Sequence, residues 1–289
     1  MAKIKAYIKL IRLKHYLKNG LIFIPLFFNR HIFNWDLSLK ALIGFISFSF
    51  MSSVIYIIND INDIEADRKN EAKKARPLAS GVIAVHQAIV MAAVLFGISI
   101  IIAYAIGSGM IWLLLYLVLN FSYSIKLKHV PILDVTILAA GYLIRLIYGA
   151  AITDIELSFW ICMTAITVSL YMGLGKRRNE LNKLGDDAYA ARGVLKSYNS
   201  AFLDKNMYVC LGLAITFYAL WTGDSKTVAD LGTNLQIWTV PIVIILAMKY
   251  SLDIEKGESG DPMEVILLDK WLIFIGITYV ITLFIILYI

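Results

Sequence analysis

The chain has 289 residues, 60% of them hydrophobic and 17% charged, against about 45–50% apolar and about 25% charged in soluble domains. That balance excludes a water-soluble globular protein, a disordered chain and a fibrous repeat, and predicts an all-α polytopic membrane protein. The net charge of +6 is read as membrane topology, with no nucleic-acid partner. Residues 1–18 alternate Lys3, Lys5, Lys9, Arg12, Lys14 and Lys18 with Ile4, Ile8, Leu10, Ile11 and Leu13, a basic amphipathic helix lying on the membrane surface. They lack the apolar core and small-residue cleavage site of a signal peptide. Nine spans follow, near 17–35, 39–59, 85–106, 109–126, 132–152, 157–175, 206–223, 235–251 and 271–289. Gly107-Ser108-Gly109 divides the charge-free stretch 77–125 into two of them.

Nine spans place the N-terminus and the loops after even-numbered spans on one side, and 23 of the 27 Lys and Arg residues fall there. The positive-inside rule makes that side cytoplasmic and leaves the C-terminus outside. We expect one membrane domain, 1–289, integral to the cell (inner) membrane, with two long cytoplasmic loops at 60–84 and 176–205. The similar placement of those loops, after spans two and six, hints at two four-helix halves. Cys162 and Cys210 lie singly in apolar runs and the four histidines are scattered, so neither disulfide nor histidine metal site is predicted.

Polar chemistry concentrates at Asn59-Asp60-Ile61-Asn62-Asp63-Ile64-Glu65-Ala66-Asp67, followed by Arg68, Lys69, Lys73, Lys74 and Arg76. If span two continues as a helix, Asn59, Asp60, Asp63 and Asp67 project from one face within about a quarter-turn. Carboxylates converging at a helix end invite a hard divalent cation; Mg2+ takes one or two of them and leaves its other positions to water and phosphate. The basic run behind would meet the same phosphates. A solvated charged loop is the competing reading, and the shared face speaks against it. Arg145 lies deep in span five, where an ionised group is costly and turns toward a protein interior or wet cavity. Eleven residues earlier, Asp134 sits about 20° from the same face, so the two would line one stripe, with Gly141 between them. A structural partner elsewhere in the bundle is the alternative for Arg145.

Asn59-Asp60-x-x-Asp63-x-x-x-Asp67 resembles the first aspartate-rich motif of the UbiA superfamily of intramembrane prenyltransferases. The resemblance implies nine transmembrane helices around a lipid-facing cavity, with a diphosphate bound through Mg2+ at its cytoplasmic mouth. Further short motifs are similar to the decaprenyl-phosphate phosphoribosyltransferase branch. They are Lys18-Asn19, Arg76-Pro77-Leu78-Ala79-Ser80-Gly81, Asn120-x-x-Tyr123-Ser124-x-x-Leu127-Lys128, Asp134 with Gly141 and Arg145, Gly175-Lys176-Arg177-Arg178-Asn179-Glu180-Leu181, and Tyr250-x-x-Asp253 with Gly257 and Pro262. That branch implies transfer of 5-phosphoribosyl from phosphoribosyl diphosphate to a polyprenyl phosphate. Asp60 and Asp63 would then be catalytic through the metal, with Asn59 and Asp67 in the same ligand set. Lys18, Asn19, Arg76, Asn120, Tyr123, Lys126, Lys128, Asp134, Arg145, Lys176, Arg177 and Glu180 would bind substrate.

One departure bears on the donor. Aromatic prenyltransferases of the superfamily carry a second acidic motif after span six, whereas here Lys176-Arg177-Arg178-Asn179-Glu180 opens that loop and Asp186-Asp187 have no acid three or four residues later. Cations suit an additional phosphate; anchoring of span six by positive charge is the other reading of them. Two rivals stay open: an aromatic prenyltransferase using a polyprenyl diphosphate, and a membrane transporter. A transporter would place ionisable groups near the bilayer midplane on broken helices, where only Arg145 is found.

Overall fold

The computed structural model describes residues 2–71, 73–184, 193–255, 265 and 268–289. Among these, every regular element is helical: α1 Ala2–Ile11, α2 Ile24–Phe28, α3 Trp35–Asn62, α4 Ile64–Lys69, α5 Val85–Ile106, α6 Met110–Ile125, α7 Leu133–Thr153, α8 Phe159–Leu184, α9 Ser200–Gly223, α10 Ser225–Leu231, α11 Val240–Glu255 and α12 Lys270–Tyr288. A 3₁₀ run, Leu13–Phe23, joins α1 to α2, and shorter 3₁₀ turns lie at Leu127–His129, Gly193–Ser197 and Leu235–Thr239. Among the described residues, seven helices are long and apolar enough to cross a membrane: Trp35–Asn62, Val85–Ile106, Leu133–Thr153, Phe159–Asn182, Ser200–Gly223, Leu235–Glu255 and Lys270–Tyr288. The protein is an integral membrane protein.

Helix ends sit where the residues can satisfy orphaned backbone groups. Asn34 accepts from the Leu37 N–H, Asn199 from Phe202, Asp224 from Thr227 and Asp269 from Leu272. These caps move two boundaries away from hydropathy alone. The second expected span begins at Trp35 instead of 39, and the helix expected from 206 begins at Ser200. Gly107, at φ 81°, ends α5 in the left-handed region that an L side chain enters only at a cost.

The described residues form two compact units. The first comprises Met1–Phe27, His31–Ile125 and Ile144–Glu156, with α3 at its centre, packed on α5, α6, α1 and the Leu13–Phe23 run. Small residues let α3 be approached closely. Ser47 Oγ donates to the Ser99 carbonyl of α5 at 2.8 Å and Ser99 Oγ returns the bond to the Ser47 carbonyl at 2.8 Å. Where hydrocarbon offers no partner, such reciprocal pairs satisfy the hydroxyls and draw the helices together. Gly149 of α7 lies against the Leu13–Phe23 run so closely that a Cβ there would stand 2.2 Å from the Ile22 carbonyl oxygen. A second core, of Leu10, Val54, Ile57, Leu78, Ile83 and Ala88, binds α1 and the segment after α4 to α3 and α5.

The second unit comprises Phe28–Arg30, Lys126–Leu143 and Leu157–Ile289. Its core contains Val135, Tyr171, Leu174, Leu203, Met207, Tyr250 and Ile254. A Cβ on Gly173 would meet Val135 Cγ1 at 2.7 Å, so this glycine sets the approach of α8 to the start of α7. α8 runs on to Leu184, beyond the expected end of its span at 175. Lys176, Arg177 and Glu180 therefore lie on a helix rather than in a loop. Ion pairs make the extension possible: Arg178 binds Asp204 and, at 2.8 Å, Glu255, and Arg177 is paired as described below. Gly257 and Pro262, like Gly185, Asp186 and Asp187, fall outside the described residues.

Candidate functional site

Each unit carries a polar cluster that holds expected site residues. In the first, α3 stops at Asn62 and the chain bends at Asp63 (φ −100°, ψ 9°) before α4. The i+4 hydrogen bonds persist through the bend, Asp63 N–H to Asn59 O at 3.0 Å and Asp67 N–H to Asp63 O at 2.8 Å, so the four expected ligands stay on nearly one helical path. Asp60 and Asp67 are both only 3% exposed. Arg76 Nη1 reaches both, at 3.1 Å to Asp60 Oδ1 and 2.6 Å to Asp67 Oδ2. Arg12 pairs with Asp60 Oδ1 from the other side while its guanidinium stands 4.9 Å from the centre of the Tyr56 ring. Asn59 and Asp63 are half-buried beside them.

Both arginines are held by packing. Leu78 and Ile83 are buried in one core with Leu10 and carry Arg76 inward. Arg12 takes φ 55°, a left-handed backbone turn between α1 and the 3₁₀ run, which costs energy in a residue with a Cβ. Sequence reasoning placed Arg12 in the basic surface helix; its pairing with a carboxylate 48 residues away has no sequence signal.

Asp60 and Asp67 converge on one cationic nitrogen, Arg76 Nη1. With the Asn59 amide and Asp63 alongside, the donors are all oxygen, as Mg2+ requires. Among the described residues no group of three or more His, Cys, Asp or Glu side chains is assembled to hold a metal. By the chemistry of their oxygen donors, Asn59, Asp60, Asp63 and Asp67 suit a Mg2+ that draws one or two protein carboxylates and completes its shell with water and substrate phosphate.

Deeper in the same unit, Arg145 is 5% exposed. Its Nε donates to Asn19 Oδ1 at 2.8 Å and its Nη2 to Tyr116 OH at 2.7 Å. The guanidinium also lies 4.8 Å and 5.4 Å from the ring centres of Tyr116 and Phe48, an aromatic setting that favours a cation. Asn19 Nδ2 donates on to Ser49 Oγ at 3.0 Å. Lys18 precedes it, half-buried. Asn120 turns back on its own helix, donating to the Tyr116 carbonyl at 2.8 Å, and Tyr123 lies one turn further along α6.

The second cluster is built on the first turn of α7. Asp134 is fully buried and accepts from Arg177 Nε at 2.6 Å and from Tyr198 OH at 2.6 Å. Arg177, 1% exposed, also donates to Glu180 at 2.9 Å. Tyr198 OH in turn accepts the Ile132 N–H at 2.6 Å. Burial, and then the bond to Asp134, push the Tyr198 hydroxyl up to about 12, so it remains protonated and able to donate. Lys126 is exposed, and Lys128 and Lys176 are half-buried. The expected stripe of Asp134 and Arg145 is divided between the clusters: one helix delivers Asp134 to the second unit and Arg145 to the first. Tyr116 and Tyr198 carry no sequence signal: Tyr116, between Leu115 and Leu117, reads as core, and Tyr198, between Ser197 and Asn199, reads as loop.

With this geometry in hand, comparison with known proteins is specific. The model of the UbiA prenyltransferase family matches residues 21–255. The chain is 33% identical to the decaprenyl-phosphate phosphoribosyltransferase of Corynebacterium glutamicum, over 94% of this chain and 84% of that one. It is 30% identical to the enzyme of the same name from Mycobacterium tuberculosis, over 84% and 80%. Among solved structures, a UbiA homolog from Archaeoglobus fulgidus bound to GPP and Mg2+ aligns with a TM-score of 0.74 at 18% identity, covering 98% of this chain and 100% of that one. At that identity the likeness concerns the fold.

Proposed function

The chain belongs to the UbiA prenyltransferase family, and from that premise we propose that it is a Mg2+-dependent pentosyltransferase. It moves the 5-phosphoribosyl group of phosphoribosyl diphosphate onto a polyprenyl phosphate and releases diphosphate. The observation that carries this reading is the likeness, along nearly the whole chain, to decaprenyl-phosphate phosphoribosyltransferases. The acceptor's phosphate oxygen forms a bond to the anomeric carbon as the bond from that carbon to the diphosphate breaks.

Asp60, Asp67, Asp63 and Asn59 would hold the metal, which when bound supplies positive charge against the charge growing on the leaving diphosphate. Arg76 and Arg12 neutralise Asp60 and Asp67 here, and their planar guanidinium groups can exchange carboxylate for phosphate. Lys126, Lys128 and Lys176 bind donor phosphate. Arg177 already faces Asp134 and Glu180, so its part is to hold α8 and α7 in place. The acceptor is a phosphate monoester, anionic at neutral pH, so it has to be bound and oriented rather than deprotonated. Lys18, Asn19, Asn120, Tyr123 and Arg145 are assigned to that task, with Tyr116 OH orienting Arg145.

We place nine crossings in the membrane. Beyond the seven long helices, the 16 residues of α6 rise about 24 Å. The 13–28 run, mostly 3₁₀ and so rising about 2.0 Å per residue, approaches the hydrocarbon thickness of about 30 Å. The charge distribution puts the N-terminus and the acidic motif on the cytoplasmic side of the inner membrane.

The test is to incubate purified protein with Mg2+, polyprenyl phosphate and phosphoribosyl diphosphate and to look for phosphoribosylated lipid. Prenylation of an aromatic acid from a prenyl diphosphate, with no such lipid formed, would assign the chain to the aromatic prenyltransferases instead.

A further inference from the structure

Ile132 has a backbone conformation that its side chain opposes. It is β-branched and stands at φ 70°, where a β-branched residue is an outlier. Its side chain is 61% exposed, so no burial of its own compensates. Hydrogen bonds on both sides of the residue hold it. Its N–H donates to Tyr198 OH at 2.6 Å, and its carbonyl accepts from Val135 N–H at 3.1 Å, Thr136 N–H at 2.9 Å and Thr136 Oγ1 at 2.9 Å. The three bonds on the carbonyl side belong to the start of α7 and would form in any helix beginning there. The bond to Tyr198 comes from outside that helix, and Tyr198 is itself oriented by Asp134, which Arg177 holds.

What lies before Ile132 is a stiff cationic turn. His129 N–H bonds to Lys126 O at 3.1 Å and Val130 N–H to Leu127 O at 3.1 Å, and the Leu127–His129 turn packs on the Gly193–Ser197 turn that leads into Tyr198. Ile132 therefore stands between α7 and the segment bearing Lys126 and Lys128, which Asp134 N–H also ties to α7 through the Val130 carbonyl at 3.1 Å. A return of its φ to the negative range would swing that whole segment and displace both ammonium groups.

We propose that Tyr198 is a positioning residue: by latching Ile132 in its left-handed conformation it sets Lys126 and Lys128 where the donor's phosphate binds. The donor assignment rests on the reading above; the latch rests on the hydrogen bonds alone.

Two measurements separate them. Hydrogen exchange at the Ile132 amide, without substrate, reports the latch: Tyr198→Phe should speed it about tenfold, the loss of one hydrogen bond. Steady-state kinetics report the consequence. Tyr198→Phe should raise KM for phosphoribosyl diphosphate about tenfold, with kcat and the KM for polyprenyl phosphate nearly unchanged. Adding Ile132→Gly should return most of the lost donor affinity, because glycine takes positive φ freely. Ile132→Gly alone should raise the unfolding temperature, a test that does not depend on Tyr198→Phe folding. Unchanged exchange in Tyr198→Phe, equal rises in KM for both substrates, no rescue by glycine, or a lowered unfolding temperature for Ile132→Gly would each overturn the proposal. Faster exchange in a protein that does not turn over phosphoribosyl diphosphate overturns the role of the two lysines and the donor reading together, leaving the latch as a support of the fold only.

Discussion

Replacing Arg177 with methionine tests the second cluster at its most sensitive point. Arg177 and Asp134 are 1% and 0% exposed, and Arg177 Nε lies 2.6 Å from Asp134 Oδ2. Methionine keeps much of the side chain's apolar length but leaves a fully buried carboxylate with Tyr198 OH in place of a counter-charge. Breaking a buried pair from one side costs about 3–5 kcal/mol, because the surviving charge is stranded away from water. Glu180 loses its bond to Arg177 as well, but it is half-buried and within reach of water, so it adds little. The assay is chemical unfolding of the protein in mixed micelles for Arg177→Met, Asp134→Asn and the double variant. The stranded-charge argument requires the double variant to be more stable than Arg177→Met, a coupling between neighbours that a cycle isolates. If the two are equally unstable, or if Arg177→Met alone stays within about 0.5 kcal/mol of the parent as an ordinary surface change would, the pair is not what holds α7 to α8.

Arg76→Gln removes the cation shared by Asp60 and Asp67, so it should tighten binding of Mn2+ alone, read by electron paramagnetic resonance, while weakening binding of pyrophosphate; unchanged metal affinity would contradict the overlap of the two cations. Gly149→Ala drives a Cβ into the Ile22 carbonyl and should destabilise by about 1–3 kcal/mol. Gly97→Ala, with open space around its Cβ, should be neutral or gain about 0.5–1 kcal/mol in the same unfolding assay. Tyr198 is favoured in its neutral form, with its hydroxyl raised from 10.0 to about 12. Its contribution is thus whole below pH 10 and fades as pH climbs through about 12, and stability should fall more steeply there in the parent than in Tyr198→Phe. Cysteines placed at Asn70 and Lys226 should react with impermeant reagents from opposite sides of the membrane, Asn70 from the cytoplasm; labelling of both from one side would refute the topology.

Much of this protein was legible in the order of its residues. Spans are long apolar runs because hydrocarbon tolerates nothing else, and that constraint acts locally, residue by residue. The acidic motif was legible for the same reason: Asn59, Asp60, Asp63 and Asp67 are near neighbours whose shared face follows from helical geometry. Caps shifted the boundaries by a few residues, at Asn34 and Asn199, since one side-chain bond outweighs a small change in hydropathy. Partnership across the chain was decided only by tertiary structure. Arg12 reaching Asp60, Arg145 reaching Asn19 and Tyr116, and Tyr198 holding both Asp134 and Ile132 join positions that are 29 to 126 residues apart. A buried charge must find a counter-charge or dipoles wherever the fold brings them, and composition cannot say which ones those will be. Arg177 shows the difference most clearly. In the sequence it is one of three cations in a row awaiting a phosphate, and in the folded chain two carboxylates have already claimed it.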